Sequence, residues 1–140
     1  MKINWENIHL PNNFKGIVLG MEEDFKRPSN ILSISKDFFV PDLMVASDVV
    51  LGKLGYGTCS EAIFSEKPLV FVPRSHFNEQ EGLEKLMNNN CNSIKLEEKK
   101  FLEGNWIEEI LQALNRTRNK PVLGVNGGEV AAKAILDLCY

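Results

Sequence analysis

The chain has 140 residues, of which 44% are hydrophobic and 25% charged, so it is expected to fold as one globular domain spanning residues 1–140. Its net charge of −3 and the lack of a basic stripe argue against a nucleic-acid partner. No apolar run approaches the roughly 18 residues of a membrane span, and the three cysteines have neither disulfide-framework nor metal-ligand spacing. These features predict a cytoplasmic protein without a membrane span, a metal or a cofactor.

Five short apolar runs bounded by turn-forming residues predict β-strands at residues 16–19, 31–34, 49–51, 69–72 and 93–96. Helices are predicted at residues 42–46, 58–66, 80–89 and 105–114, and a last one carries an apolar stripe from Val130 to Leu138. The stripes on the last two helices are expected to be core contacts. Strands that alternate with helices are typical of parallel α/β sheets. The predicted fold is therefore a three-layer, Rossmann-like α/β domain with a mostly parallel sheet.

Two polar segments complete the chain-order prediction. Residues 97–100 are interpreted as a solvated turn, and residues 1–13 contain no apolar run that could form a strand. A doubly wound nucleotide-binding domain normally opens on a central strand and a glycine-rich turn. The sequence therefore predicts that this chain lacks that first strand.

The most informative segment spans residues 48–61, DVVLGKLGYGTCSE, where an apolar burst runs into three glycines and then a helix start. The backbone N–H groups near Gly57 and Thr58 could bind a diphosphate, with Lys53 assisting. Glu61 could then accept hydrogen bonds from two ribose hydroxyls. Thr58 and Glu61 also have the spacing of a capping box, in which both side chains satisfy helix-end N–H groups and need no ligand. Both interpretations remain open at this point.

Other residues allow a site hypothesis alongside a plainer one. Arg74 and His76 follow a predicted strand, where α/β proteins place ligand contacts, but both could be ordinary surface residues. Cys59 could have a lowered pKa at a helix start, or could be a small buried side chain. Residues 126–129, Asn-Gly-Gly-Glu, could present N–H groups to a ligand, or could be an asparagine cap with a glycine turn.

Residues 42–73, DLMVASDVVLGKLGYGTCSEAIFSEKPLVFVP, resemble the carboxy-terminal, nucleotide-sugar-binding half of GT-B glycosyltransferases. They are similar, more closely still, to the glycosyltransferase-like module that precedes the kinase domain in plant-type L-arabinokinases. This second resemblance extends through Phe77-Asn78-Glu79, Gly104-Asn105-Trp106 and residues 126–132, NGGEVAA, and so covers nearly the whole chain.

The resemblance implies roles for individual residues. Glu61 matches the acidic residue that holds the nucleotide ribose, and Gly57 and Thr58 match loop positions that meet the diphosphate. Gly55 belongs to the same loop, and Lys53 falls where plant glucosyltransferases place a phosphate-contacting histidine. The possible sugar contacts are His76, Glu79 and Gln80, in the loop after the fourth strand. The sequence Gln80-Glu81-Gly82 departs from the acidic, proline and phenylalanine residues that arabinokinase-like modules tend to have there, which puts the sugar specificity in doubt.

The resemblance also implies what the chain needs from elsewhere. Nothing in it resembles the amino-terminal GT-B domain, which supplies the acceptor site and usually the catalytic base, so no catalytic residue is assigned. The expected function is binding of a UDP-sugar-like nucleotide sugar by a half-domain that is not catalytic alone. The alternative is a non-catalytic regulatory or scaffolding module associated with a sugar kinase, in which Glu61 is only a cap. The open sheet predicts a homodimer, or a partner domain that supplies the acceptor site.

Overall fold

The computed structural model describes residues 3–21, 26–35, 37–74, 77–116 and 126–139. Within these ranges, five parallel strands form two sheets. The first sheet pairs β1 (Gly16–Leu19) with β2 (Ile31–Ile34). The second has the order β3 (Val50–Lys53), β4 (Leu69–Val72) and β5 (Ser93–Lys95). The parallel α/β prediction is confirmed, and the strands are divided between two sheets.

Six α-helices and one 3₁₀ turn connect and flank these strands in the described ranges. They are the 3₁₀ turn at Trp5–Asn7 and α1 (Val40–Ala46), α2 (Tyr56–Phe64), α3 (Gln80–Asn90), α4 (Glu98–Glu103), α5 (Ile107–Asn115) and α6 (Gly127–Cys139). The solvated turn predicted at residues 97–100 is wrong, because those residues open α4. This helix ends at Gly104, whose φ of 81° is a left-handed conformation that favours glycine.

The core consists of two apolar clusters on opposite faces of the three-stranded sheet, which gives the three layers. All four residues of β4 are buried, and alternate side chains serve opposite clusters because strand side chains alternate between faces. Leu69 and Phe71 pack with residues of α1, α2 and α3. Val70 and Val72 pack with residues of α5, with Ile31 of β2 and with Ile8.

The polar amino-terminal segment forms part of this core. Ile8 is only 2% exposed, and the ring of Trp5 meets Trp106 edge-on, with 6.4 Å between ring centroids. The backbone N–H of Asn4 donates to the carbonyl of Leu102 at 2.8 Å. A Cβ on Gly104 would lie 2.8 Å from the side chain of Ile8, so only glycine allows this close approach.

The last helix does not match its prediction. None of the described residues of α6 is buried, and Leu138 is 87% exposed. The prediction that its apolar stripe makes core contacts is therefore wrong, whereas α5 does bury Ile110 and Ala113. Across the described ranges, no helix combines the length and the apolar character that crossing a membrane requires.

The two-stranded sheet has one poorly covered face. The register places Ile17 opposite Leu32 and Leu19 opposite Ile34, so these four side chains share that face. Ile17 and Leu32 are each 53% exposed. The opposite face, which carries Val18 and Ile31, contributes to the core.

Candidate functional site

The glycine-rich loop lies at the carboxyl end of the three-stranded sheet, between β3 and α2. Leu54 is fully buried, and its backbone N–H donates to the carbonyl of Val72 at 3.4 Å. Cys59, in the first turn of α2, is also fully buried. The burial of these two side chains holds the backbone between them at the carboxyl ends of β3 and β4. This is the edge at which open α/β sheets bind ligands.

The first turn of α2 carries backbone N–H groups without protein partners. Its N-cap residue is Gly55, which has no side chain to accept a hydrogen bond. The N–H groups of Tyr56, Gly57 and Thr58 have no acceptor within the described ranges, and Cys59 is the first to bond, to the carbonyl of Gly55 at 2.9 Å. The helix dipole adds positive potential at this end. The arrangement can accept an anion.

The structure tests the capping-box interpretation of Thr58 and Glu61. The helix begins at Tyr56 rather than at the predicted residue 58, so Thr58 is its third residue and cannot be the N-cap. The side chain of Glu61 is half-buried and makes no hydrogen bond or ion pair with any described residue. The capping-box interpretation is therefore wrong. Glu61 lies one turn beyond Gly57 on the same helix face, because residues four apart are neighbours on a helix.

Neither backbone conformation nor packing requires glycine at positions 55 and 57. Gly55 is extended, with φ −155° and ψ 157°, which any residue can adopt. A Cβ at Gly57 would meet no described atom within 4 Å, and one at Gly55 would meet only Nη1 of Arg74, at 4.0 Å. The small size of these residues leaves the N–H groups of the loop open to close approach.

Two cationic side chains lie at this edge of the sheet. Lys53 ends β3 and pairs in register with Val72 of β4, two residues before Arg74. Lys53 and Arg74 are both exposed, and neither forms an ion pair with a described residue. The sequence identified Lys53 as a site residue but left Arg74 open, because its distance from Gly55 depends on how β3 and β4 pair.

The predicted sugar-contacting residues are only partly described. Glu79 is exposed at the start of α3, and His76 lies outside the described residues. Gln80 is engaged in the protein: its Oε1 accepts from the Arg74 backbone N–H at 3.1 Å, and its Nε2 donates to Glu84 at 2.5 Å. Burial opposes ionisation of Glu84, but hydrogen bonds from Gln80 and Lys95 outweigh it and lower the pKa of this carboxyl group.

The remaining candidates have structural roles. Burial raises the pKa of the Cys59 thiol, which confirms the interpretation of Cys59 as a packing residue. The Gly128 N–H donates to Oδ1 of Asn126 at 3.0 Å, as expected of an asparagine that caps α6. Within the described ranges, no group of three or more histidine, cysteine or acidic side chains is placed to hold a metal ion.

The chain is similar to several known proteins. Residues 21–124 match the Glycosyltransferase family 28 C-terminal domain. The chain is 36% identical to an L-arabinokinase from Arabidopsis thaliana over 131 residues, which are 92% of this chain and 12% of that protein. Among solved structures it is similar to the glycosyltransferase SnogD from Streptomyces nogalater, with a TM-score of 0.43 and 16% identity, over 79% of this chain and 30% of that one.

Proposed function

Because the chain belongs to the glycosyltransferase family 28 carboxy-terminal domains, we propose that it binds a nucleotide sugar, of the UDP-sugar class, at the loop between β3 and α2. The observation that carries the proposal is the uncapped start of α2 at the carboxyl ends of β3 and β4, with Glu61 one turn further on and without a partner among the described residues. N–H groups of Gly57 and Thr58 bind the diphosphate, and Lys53 adds a positive charge. The two carboxylate oxygens of Glu61 accept hydrogen bonds from the ribose hydroxyls.

The sugar lies towards the loop after β4 in this proposal. Glu79 is exposed there and can accept hydrogen bonds from sugar hydroxyls. Gln80 keeps its two protein partners and has one further donor and one further acceptor position for a ligand.

We also propose that this chain binds the nucleotide sugar without transferring the sugar. A partner domain supplies the acceptor site and the base. A second candidate function is a regulatory module of a sugar kinase, which is favoured by the 36% identity to an L-arabinokinase of which this chain spans 12%. In that case the chain keeps the fold without acting through a nucleotide-sugar site.

Titration calorimetry of the purified chain with UDP and UDP-sugars tests the proposal, with Glu61→Gln as the informative variant. The substitution is expected to weaken UDP binding by about 10- to 150-fold, because losing a charged hydrogen-bond partner costs about 1.5–3 kcal/mol. Its effect on unfolding should stay within about 0.5 kcal/mol, because Glu61 bonds to none of the residues that the structure describes.

Glu66→Gln is the matched control, since it removes the same charge from an exposed position just beyond the other end of α2. It should leave UDP affinity unchanged. A Glu61→Gln variant that melts earlier yet binds UDP as tightly as the wild type would contradict the proposed role of Glu61.

We also propose that the chain forms a homodimer through the open edges of its two sheets. In a parallel ladder, the N–H and C=O of one residue point to the same side, and successive residues alternate sides. The backbone N–H of Gly16 donates on the side of β2, so the backbone N–H and C=O groups of Ile17 and Leu19 point away from β2. Leu51 and Lys53 likewise point away from β4. Within the described ranges these edges pair with no strand, and the exposed apolar face of β1 and β2 lies beside them.

Sedimentation or light scattering at micromolar concentration should give twice the 15.8 kDa mass of the chain. Ile17→Pro is expected to convert the dimer to a monomer, because proline removes an N–H that β2 does not use. Ile17→Thr keeps that N–H and should remain dimeric. A wild-type chain that sediments at 15.8 kDa would show that the open edges do not pair.

A further inference from the structure

We propose that Arg74 is a ligand-binding residue that makes this site select nucleoside diphosphates over monophosphates; the inference rests on the proposed function. Arg74 follows Pro73, just past the carboxyl end of β4. Its Nη1 lies 4.0 Å from where a Cβ of Gly55 would be, so its guanidinium is beside the N-cap of α2. A phosphate held by the first N–H groups of α2 therefore lies within reach of this side chain.

Two contacts hold Arg74 in place. Its backbone N–H donates to Oε1 of Gln80 at 3.1 Å. Its guanidinium carbon lies over the ring of Phe77, 5.1 Å from the ring centroid, and Phe77 packs against the core cluster below α2 and α3. A side chain already held in its bound position loses less conformational entropy when a ligand arrives. These contacts distinguish Arg74 from an arginine that extends freely into solvent.

The donors of Arg74 remain available. Its guanidinium N–H groups donate to no described acceptor and pair with no carboxylate in the described ranges, and its central carbon lies 5.1 Å from the centroid of the Phe77 ring. The planar guanidinium presents its N–H donors in a fork that matches two oxygens of a phosphate. These donors, which no described residue uses, are therefore available for a bidentate contact.

The charge at this edge favours a ligand with two phosphates. Lys53 is the last residue of β3, and Arg74 follows the end of the neighbouring strand, β4. The positive, amino-terminal end of α2 lies at the same edge of the sheet. In this proposal the outer phosphate of a nucleoside diphosphate contacts Arg74 and the inner one contacts Lys53, whereas the single phosphate of a monophosphate occupies the inner position and contacts Lys53 alone. Removing Arg74 should therefore affect diphosphates more than monophosphates.

The test compares UDP and UMP binding to the wild-type chain and to Arg74→Met, which keeps an apolar contact with Phe77 and removes the charge. UDP binding is expected to weaken by about 10- to 100-fold and UMP binding by less than about 3-fold, as for the loss of one charge-assisted contact. Arg74→Lys should recover part of the UDP affinity, because it restores the charge without the fork. Lys99→Met is the control for net charge, since Lys99 is exposed on α4, away from the loop.

The outcomes separate the two proposals. A wild-type chain that binds neither UDP nor a UDP-sugar would overturn the proposed function itself. A wild-type chain that binds UDP, together with Arg74→Met that binds it equally well or that loses UDP and UMP affinity alike, would overturn the role of Arg74 and leave the proposed function standing. Melting temperatures of all variants should match the wild type, which excludes misfolding as the cause.

Discussion

Replacing Trp106 with alanine is expected to lower the free energy of unfolding by about 3–5 kcal/mol. Trp106 is only 7% exposed, it stacks on Phe101 with ring centroids 5.8 Å apart, and its Nε1–H donates to the Phe101 carbonyl at 2.9 Å. The substitution removes a large buried ring, takes away one of two donors to that carbonyl, which also accepts from the Gly104 N–H at 3.3 Å, and exposes the edge of Trp5. Since single domains are stable by about 5–15 kcal/mol, this loss takes a large share of the total.

Urea unfolding followed by circular dichroism measures this loss, and Leu111→Ala is the matched control. Leu111 lies on the same helix as the core residues Ile110 and Ala113 but is 40% exposed. Its truncation should cost only about 1–2 kcal/mol, because a fully buried leucine contributes about 1.5–3 kcal/mol and 40% of the Leu111 surface already faces solvent. Equal losses from the two substitutions would show that the ring of Trp106 does not hold the amino-terminal segment and α5 together.

Replacing Gly57 with aspartate is expected to stabilise the fold and abolish nucleotide-diphosphate binding. Glycine inside a helix costs about 0.5–1 kcal/mol, and a carboxylate in the first turn interacts favourably with the helix dipole. No described atom lies within 4 Å of the new Cβ, so the fold gains without a clash. The carboxylate repels the diphosphate of the ligand, and like charges in contact cost several kcal/mol, which weakens UDP binding on the order of 100-fold or more.

Gly82→Asp is the matched control for this substitution. Gly82 lies in the first turn of α3 and is exposed, and a Cβ added there would likewise meet no described atom within 4 Å. The Gly82→Asp variant should not be less stable than the wild type. Its UDP affinity should be unchanged, because the start of α3 is not the proposed phosphate site. Thermal melting and calorimetry of the two variants together separate the helix effect from the ligand effect. Unchanged UDP affinity in Gly57→Asp would place the diphosphate elsewhere.

The sequence predicted the strands well, because short apolar runs bounded by turn formers are typical of buried parallel strands. The predictions for β1, β2 and β4 agree with the structure at both ends, and that for β3 was one residue early at its start and two residues short at its end. Helix starts were harder to predict. The pattern of Thr58 and Glu61 indicated an N-cap, but the extended backbone of Gly55 lets the helix begin at Tyr56.

The packing of the amino-terminal segment could not be predicted from local pattern, because its apolar side chains are separated by polar residues. Ile8 is buried and Trp5 is half-buried, and they contact Gly104 and Trp106, which lie about one hundred residues further along the chain. The exposure of α6 was not predicted. Its apolar periodicity is typical of a helix with a buried face, but the pattern does not show which surface would cover that face.

The candidate site was predicted in part. The glycine loop and the resemblance placed Lys53, Gly57 and Glu61 in one segment, and the family assignment is confirmed. The position of Arg74 beside Gly55 depends on the pairing of β3 with β4, a long-range contact that single-sequence patterns do not specify.

The three cysteines differ sharply in chemical reactivity. Cys59 and Cys91 are buried, and burial raises the pKa of both thiols, that of Cys91 to about 11, whereas Cys139 is exposed on α6. Because the thiolate is the reactive form, a maleimide dye near neutral pH should attach to the folded chain at Cys139 alone. Unfolding exposes the other two thiols, so the number of dyes bound per chain distinguishes folded from unfolded molecules without any ligand.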